Sequence, residues 1–387
     1  MKKITVIGRG TVGCLTAAHF LKYSNVEVQW IYDPLTPTTP VGEGTNLIFP
    51  AAIADCLNFD TSDMEKIYST PKMGIWKRNW GVGKDFKHTF RSGTAGMHFN
   101  ALEFQNYVFE KLADNSKLTI LEQNVTDTST IDSDYIIVCS GSPKNLTDDF
   151  QEHTSIPVNS ALVFQCPWNL PKFLFSLTFA KKYGWVFGIP LVNRCAIGYV
   201  YNSNFCNEED IKEDVQSILN EFDLTPNVIR SLKFYNYSRK KNFSERICYN
   251  GNSSFFLEPL EATSTGLADY VNRLCFDYLF EGRSLDLVNY SYRRHINDIE
   301  LMINLHYFSG SVYKNNFWDH AKKLAEENIN MSFEMKSDFS RMINLALNSN
   351  DQHSPEIGTW PVRSYRQNIS NLGIADKLND LLRMHGR

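Results

Sequence analysis

Residues 3–13 read KITVIGRGTVG, and this stretch decides the fold. The apolar, β-branched run ITVI predicts a strand, and Gly8, Gly10 and Gly13 follow it in a G-x-G-x-x-G pattern that opens a helical segment. A second strand is predicted over 26–32. Strand, glycine turn, helix and strand in this order predict the first β-α-β unit of a doubly wound nucleotide-binding domain.

Each glycine of this turn has its own physical reason. Gly8 allows the tight turn, Gly10 lets the backbone approach a pyrophosphate, and Gly13 permits close packing of helix on strand. The backbone amides of Thr11 and Val12, at the start of the helix, favour the phosphate charge. The motif predicts a dinucleotide but does not distinguish FAD from NAD.

Composition limits the class of protein. The 387 residues are 43% hydrophobic, which is enough for two closely joined domains. The net charge is −4 and the basic residues are scattered, so nucleic acid is not an expected partner. The cysteines form no C-x-x-C pair, so we expect reduced thiols and no metal site. No signal-peptide pattern or membrane-length apolar stretch occurs, which predicts a soluble, cytoplasmic protein.

The chain reads as an α/β protein with a further antiparallel sheet. We expect the first part of the nucleotide-binding domain at 1–158 and an antiparallel sheet on the substrate side at 159–240. The chain is expected to return to the first domain at 241–285, and periodic apolar positions predict a helical region over 286–387.

Eight further motifs occur in an order that resembles the flavin-dependent tryptophan halogenase family along nearly the whole chain. They are PVGEGT (40–45), PKMGIWKRNW (71–80), MHFNALEF (97–104), YIIVCSGSP (135–143), YGWVFGIPL (183–191), FFLEPLEATS (255–264), INLHYF (303–308) and NNFW (315–318). FFLEPLEATS is the strongest match, because its EPLEAT core is long and specific. The resemblance implies a nucleotide-binding domain of the flavin monooxygenase type.

The resemblance also implies the cofactors. They are FAD in its reduced form (FADH2), O2 and a halide ion, which is chloride, bromide or iodide, with a separate flavin reductase as partner because no second nucleotide motif is visible. A carboxylate after the second strand is expected to bind a ribose hydroxyl, and Asp33 fits this role. Ungapped counting from 40–45 places Tyr32 there instead, and we favour Asp33 because the strand otherwise lacks a carboxylate. The other implied cofactor residues are Val41, Gly42, Glu43, Gly44, Gly141 and Leu257.

Two residues match the catalytic positions of the family. Lys72 can hydrogen-bond to hypohalous acid as an ammonium, or capture the halogen as an N-haloamine. Most lysines lie at the surface, but the family spacing favours Lys72 over Lys77, which we expect to be solvated. Glu261 is implied to stabilise the positively charged arenium ion that forms during electrophilic attack, whereas Glu258 is expected to be structural.

The halide and the passage to the substrate are assigned by the same resemblance. The backbone amides of Thr263 and Ser264 are implied to bind halide. The residues implied to line the passage from flavin to substrate are Trp185, Phe187, Ile189 and Pro190. Phe187 stands where the family has a second tryptophan, and on general grounds such aromatic pairs are often packed core.

The segment between Trp80 and His98 departs from the family, since only seventeen residues intervene where tryptophan halogenases have a much longer insertion. Free tryptophan is therefore not the expected substrate. We expect another phenol, indole or pyrrole, free or carrier-bound. The alternatives are an FAD-dependent aromatic monooxygenase with the same fold and a flavin-binding protein without catalysis. Both leave the motifs around Lys72 and Glu261 unexplained.

Overall fold

The computed structural model describes residues 2–36, 43–349 and 360–386. The chain divides into two compact units, and each is built from three segments. The first unit comprises Met1–Lys72, Ala95–Glu152 and Tyr237–Arg293, and the second comprises Met73–Thr94, His153–Asn236 and Arg294–Arg387. The domain boundaries that we expect from the sequence stay a prediction.

The strands are, in chain order, β1 (Lys3–Ile7), β2 (Glu27–Tyr32), β3 (Glu43–Gly44), β4 (Thr70–Lys72), β5 (Gly74–Arg78), β6 (Phe86–Thr89), β7 (Gly96–Phe99), β8 (Leu118–Glu122), β9 (Tyr135–Val138), β10 (Phe150–Glu152), β11 (Ser160–Pro167), β12 (Ser176–Lys181), β13 (Gly184–Pro190), β14 (Arg194–Tyr201), β15 (Val228–Lys233), β16 (Tyr237–Arg239), β17 (Ile247–Tyr249) and β18 (Phe255–Phe256). The α-helices are α1 (Thr11–Tyr23), α2 (Ile48–Leu57), α3 (Ala101–Leu112), α4 (Glu208–Glu221), α5 (Thr263–Phe280), α6 (Leu285–Ser309), α7 (Asn316–Glu334), α8 (Asp338–Asn348), α9 (Val362–Leu372) and α10 (Ala375–Met384). Short 3₁₀ helices lie at Thr61–Ile67, Thr128–Thr130, Gly251–Ser253 and Leu260–Ala262.

A parallel sheet forms the centre of the first unit. Its strand order is β17-β9-β1-β2-β8, and every neighbouring pair is parallel. β1 is almost fully buried, as expected for a parallel strand covered on both faces. Because β2 lies on one side of β1 and β9 on the other, the carboxyl end of β1 is a point where the direction of winding changes. Ligands bind at such points in doubly wound sheets, and the glycine turn lies there.

Two small antiparallel sheets complete the strands of the first unit. One has the order β3-β7-β4 and the other the order β10-β16-β18. The first of them joins the PVGEGT and PKMGIWKRNW segments through the strand of the MHFN segment. β7 is thereby hydrogen-bonded to segments that lie about 25 and about 55 positions earlier in the sequence.

The second unit contains the predicted antiparallel sheet, with the order β15-β11-β14-β13-β12-β5-β6. Only the β5–β12 pair is parallel among these described strands. Side chains such as Phe164, Val186 and Ile197 on one face pack against Ile211 and Val215 of α4. The helical region predicted after 286 is present as α6 to α10.

The helical character of the sequence over 51–68 predicts a helix there, and the structure divides this stretch in two. α2 begins earlier, at Ile48, and ends at Leu57 because Asn58 adopts the left-handed conformation, with φ 51°. Asp60 then caps the 3₁₀ helix Thr61–Ile67, and its carboxylate accepts a hydrogen bond from the Ser62 amide. None of the described helices is both long and apolar enough to cross a membrane.

Candidate functional site

The glycine turn after β1 is shaped by two backbone contacts and one open position. A β-carbon at Gly8 would lie 2.4 Å from the Cys139 carbonyl oxygen, and one at Gly13 would lie 2.1 Å from the Gly8 carbonyl oxygen. At Gly10 no heavy atom of the described residues lies within 4 Å of that position. Gly8 and Gly13 are therefore required by packing, whereas Gly10 leaves room for a ligand.

The start of α1 has the features of an anion site. Gly10 is its N-cap and cannot cap the helix with a side chain, and the first turn contains no acidic residue. The amides of Thr11 and Val12 thus lie at the positive end of a 13-residue helix. Gly141 follows β9, the neighbour of β1, and adopts a φ of 93° with open space beside it. These residues fit the pyrophosphate of a dinucleotide such as FAD.

Asp33 is the first residue after β2, which is the position expected for a ribose-binding carboxylate. Its two carboxylate oxygens accept hydrogen bonds from the Leu35 amide and the Thr36 hydroxyl. The Tyr32 hydroxyl instead donates to Glu122, at the end of the neighbouring β8, over 2.7 Å. Asp33 remains the candidate, and Glu122 is a second carboxylate near it that sequence patterns did not reveal.

Residues 40–46, which contain PVGEGT and are called the strap here, are described from Glu43 onward, so Val41 and Gly42 lie outside the described residues. Glu43 and Gly44 form β3, and burial raises the pKa of Glu43 to about 7. A β-carbon at Gly266 of α5 would lie 2.1 Å from the Asn46 side-chain nitrogen. The strap is therefore hydrogen-bonded to β7 and packed against α5.

Lys72 is the last residue of β4 and its exposed fraction is 1%. β4 pairs with β7, so that Lys72 lies opposite Gly96 and Thr70 lies opposite His98. This burial excludes the surface position that most lysines occupy. A buried amine in the same small sheet as the strap is consistent with the sequence assignment, which stays a prediction.

The expectation that Lys77 is solvated was wrong. Lys77 lies in the second unit with an exposed fraction of 0%, and its Nζ is 2.7 Å from His306 Nε2 and 2.8 Å from Asn368 Oδ1. His306 Nδ1 is 3.0 Å from the Met302 carbonyl oxygen, so Nδ1 donates to that carbonyl and Nε2 accepts from the lysine. Because α6 and α9 supply these partners, no local pattern around 77 could reveal them.

Glu261 lies in a strained turn immediately before α5. It has φ 68° and ψ 6°, and Ala262 follows with φ 54° and ψ 48°. Each left-handed residue other than glycine costs about 1–2 kcal/mol, so two in succession persist only where the surroundings determine them. The side chain of Glu261 is buried, with 8% exposed, and Leu257 and Glu258 just before it are also buried.

The first turn of α5 is a second candidate anion site. Ala262 is left-handed and Thr263 right-handed, a succession that aims neighbouring amides into one concavity. No acidic residue occupies the first turn of this 18-residue helix, and Thr263 and Ser264 begin it. Within the described chain, the buried hydroxyl oxygens of Thr263 and Thr265 have no hydrogen-bond partner. These features fit a small anion such as halide.

The residues predicted to line the passage belong to β13 in the second unit. Trp185, Phe187 and Ile189 share one face of the strand, because side chains alternate, and Pro190 ends it. Trp185 is fully buried, and Phe187 is partly exposed and packs against Ile189 and Ala196. This is the face opposite α4. Their role along a passage stays a prediction.

The family profile described as tryptophan halogenase matches residues 3–126 and 112–377. The chain belongs to this family. A tryptophan 6-halogenase of Streptomyces toxytricini is 31% identical over 116 residues, which are 28% of this chain and 21% of that relative. A tryptophan 7-halogenase of Lentzea aerocolonigenes is 32% identical over 91 residues, 23% of this chain and 17% of the relative. The matched segments thus span about a fifth of the length of these curated relatives.

Solved structures of family members share the fold along the whole chain. A tryptophan halogenase from Shewanella frigidimarina has a TM-score of 0.79 at 18% identity, over 100% of this chain and 94% of that one. A flavin-dependent halogenase from Xanthomonas campestris has a TM-score of 0.80 at 17% identity, over 99% and 94%. The fold class predicted from the sequence is therefore confirmed: an α/β protein with a doubly wound domain of the FAD-binding fold, an antiparallel sheet and a C-terminal helical region.

Proposed function

We propose that this family member is a flavin-dependent halogenase that acts on an electron-rich aromatic compound. The observation that carries the proposal is the burial of both Lys72 and Glu261 in the first unit, on elements that adjoin the strap. β7 is hydrogen-bonded both to β4 and to β3 of the strap. α5 packs against the strap where Gly266 contacts the Asn46 side chain. A monooxygenase of the same fold would not require a buried lysine and glutamate at these two places.

The glycine turn and Asp33 would hold FAD, with the pyrophosphate at the start of α1. Reduced FAD, delivered by a separate flavin reductase, supplies together with O2 the two-electron oxidation of halide to hypohalous acid. The amides of Thr263 and Ser264 would hold the halide, because they begin a helix whose first turn contains no competing carboxylate.

Lys72 would direct hypohalous acid to the substrate, either as an ammonium that hydrogen-bonds to it or as an amine that forms an N-haloamine with release of water. Transfer of the halogen to an aromatic carbon forms an arenium cation. The carboxylate of Glu261 would stabilise that charge before the ring proton is lost. Burial strengthens this interaction, since charges interact more strongly where water is excluded.

The substrate is proposed to be a phenol, an indole or a pyrrole, free or carrier-bound, rather than free tryptophan. The residues between Trp80 and His98 form a turn, the short strand β6 and part of β7. This segment lacks the long insertion that the resemblance to the tryptophan halogenases leads us to expect there. The smaller segment favours a more open site and a broader range of arenes. Bromide and iodide are easier to oxidise than chloride, so we propose that they are the better halides.

The deciding experiment incubates the protein with FADH2, O2, a panel of indoles, phenols and pyrroles, and chloride, bromide or iodide in turn. Mass spectrometry should show a product that gains one halogen in place of hydrogen. A gain of one oxygen instead would overturn the halogenase proposal and favour the aromatic monooxygenase. Oxidation of FADH2 without any modified arene would favour a flavin-binding protein without this catalysis.

A further inference from the structure

His98 lies at the centre of the small sheet that carries Lys72. It is directly opposite Thr70 on β4 and Gly44 on β3. Directly opposite residues of antiparallel strands place their side chains on the same face, and residues two apart on one strand also share a face. The His98 imidazole and the Lys72 side chain therefore lie on one face, as diagonal neighbours. Gly44 has no side chain to separate the imidazole from the strap.

The imidazole of His98 is anchored and uncharged. Its exposed fraction is 0%, and Nδ1 lies 3.2 Å from the hydroxyl oxygen of Thr70, which is also buried. Burial and the positive charge of Lys72 both hold the pKa of His98 well below its usual range. A neutral imidazole has one N–H donor and one acceptor nitrogen. His98 therefore places a neutral ring with hydrogen-bonding nitrogens beside Lys72 and adds no second positive charge there.

We propose that His98 is a positioning residue for Lys72, held in place by Thr70, an inference that rests on the proposed role of Lys72 in halogen transfer. The amine is at the end of a flexible four-carbon side chain, and its head must be aimed at hypohalous acid on one side and the arene on the other. A displacement of about 1 Å in such a geometry can cost a factor of about 100 in rate. A fixed, neutral polar ring on the same face limits the positions that the amine can take. Because the ring is uncharged, it does not repel the ammonium.

The test measures halogenated product formed per FADH2 oxidised, together with FAD affinity, in four variants of the full chain. His98→Phe keeps most of the volume and removes both ring nitrogens, His98→Gln keeps a polar side chain, and Thr70→Val removes the hydroxyl that anchors Nδ1. His19→Phe is the matched control, because His19 is a buried histidine of α1 that packs against Tyr23 and Phe276 in the same unit.

We expect His98→Phe to lower the product-to-flavin ratio at least tenfold while FAD affinity stays within twofold. His98→Gln should recover most of that loss, Thr70→Val should lower the ratio about threefold, and His19→Phe should match the wild type. Recovery by the glutamine variant separates a polar role from simple packing. If His98→Phe does not fold, Thr70→Val decides the test.

Two results would overturn the role of His98. One is a wild-type ratio in His98→Phe, or in Thr70→Val when His98→Phe does not fold. The other is an equal loss of product and of FAD affinity in the phenylalanine and glutamine variants, which would mean that the residue only supports packing. A wild-type protein that forms no halogenated product would instead overturn the proposed function itself.

Discussion

The ring of Phe187 lies directly over Gly198 of the neighbouring strand, so that a β-carbon at Gly198 would be 1.9 Å from Phe187 Cζ. The aromatic side chain thus occupies the space that the glycine leaves on the face of the sheet opposite α4. This contact holds the partly buried Phe187 ring in one orientation, because Ile189 and Ala196 also pack against its side.

Gly198→Ala should therefore force the Phe187 ring out of place. Overpacking of this kind costs about 1–3 kcal/mol of unfolding free energy, and urea unfolding measures it. The double variant Gly198→Ala with Phe187→Leu should regain much of the loss, because the smaller side chain leaves room for the new methyl group. Equal stability of Gly198→Ala and wild type would contradict the contact.

The glycine turn contains glycines that packing requires and one glycine that leaves room for a ligand. Substitution at Gly13 and at Gly10 separates these two requirements. Gly13→Ala should destabilise the protein and abolish FAD binding, because its β-carbon meets the Gly8 carbonyl oxygen. Gly10→Ala should leave the free energy of unfolding within about 0.5 kcal/mol, since its β-carbon meets open space, but weaken FAD binding at least tenfold, or about 1.4 kcal/mol. Flavin fluorescence titration and urea unfolding distinguish the two. Normal FAD affinity in Gly10→Ala would place the pyrophosphate elsewhere.

Lys72→Met keeps the length of the side chain and removes the amine. We expect a loss of at least about 100-fold in halogenated product with FADH2 oxidation unchanged, since the oxidation of the flavin does not require the lysine. Lys84→Met, at an exposed position, serves as the control and should behave as wild type. Product formation by Lys72→Met at the wild-type rate would remove Lys72 from the mechanism.

Thr263→Val tests the halide site at the start of α5. The substitution removes a buried hydroxyl that has no partner among the described residues while nearly keeping the shape of the side chain. The halide concentration that gives half-maximal product should rise several-fold, with the arene dependence unchanged. A halide dependence identical to the wild type would show that the anion does not use this hydroxyl.

The buried pair of Glu300 and His153 predicts an acid-sensitive contribution to stability. The two are joined over 2.7 Å, and Ser155 donates to the other carboxylate oxygen. Burial alone would raise the pKa of Glu300, but these hydrogen bonds outweigh it and hold the pKa below the usual range. The stabilising contribution is therefore complete above about pH 4.5, where the unfolded carboxyl is ionised, and is lost as the pH falls through the lower folded pKa.

Glu300→Gln should reduce this acid dependence. Urea unfolding at pH 6 and at successively lower pH should show a smaller decline in stability for the variant than for the wild type. The variant is expected to be less stable at pH 6, because a charge-assisted hydrogen bond is replaced by a neutral one. Parallel declines for both proteins would assign the acid sensitivity to other groups.

The elements around the glycine turn could be predicted from the local sequence. β1 and β2 appear within a residue of the expected bounds and α1 follows the glycine turn as expected, because hydrophobic periodicity, the turn glycines and a buried parallel strand all require the same arrangement. The division of the helix expected over 51–68 was not predicted, since it depends on the left-handed conformation of Asn58 and on the cap from Asp60.

Lys72 and Lys77 show what a linear pattern cannot decide. Both occur in one short motif, and the sequence alone placed only the first in a protein interior. Lys77 is buried because residues about 230 and 290 positions later, His306 and Asn368, supply its partners. The environment of a charged side chain is determined by such non-local contacts, which no spacing within the motif encodes.

The sequence by itself therefore determined the doubly wound architecture and the family motifs and predicted a place for the dinucleotide phosphates, because periodicity, glycine spacing and motif order are local properties of the chain. Only the tertiary structure decided that Lys72 shares a sheet face with His98, that Glu261 and Ala262 precede α5 as two successive left-handed residues, and that Gly198 makes room for Phe187. These depend on strand register and on packing between distant segments, and register is set by which faces are buried when the chain is folded.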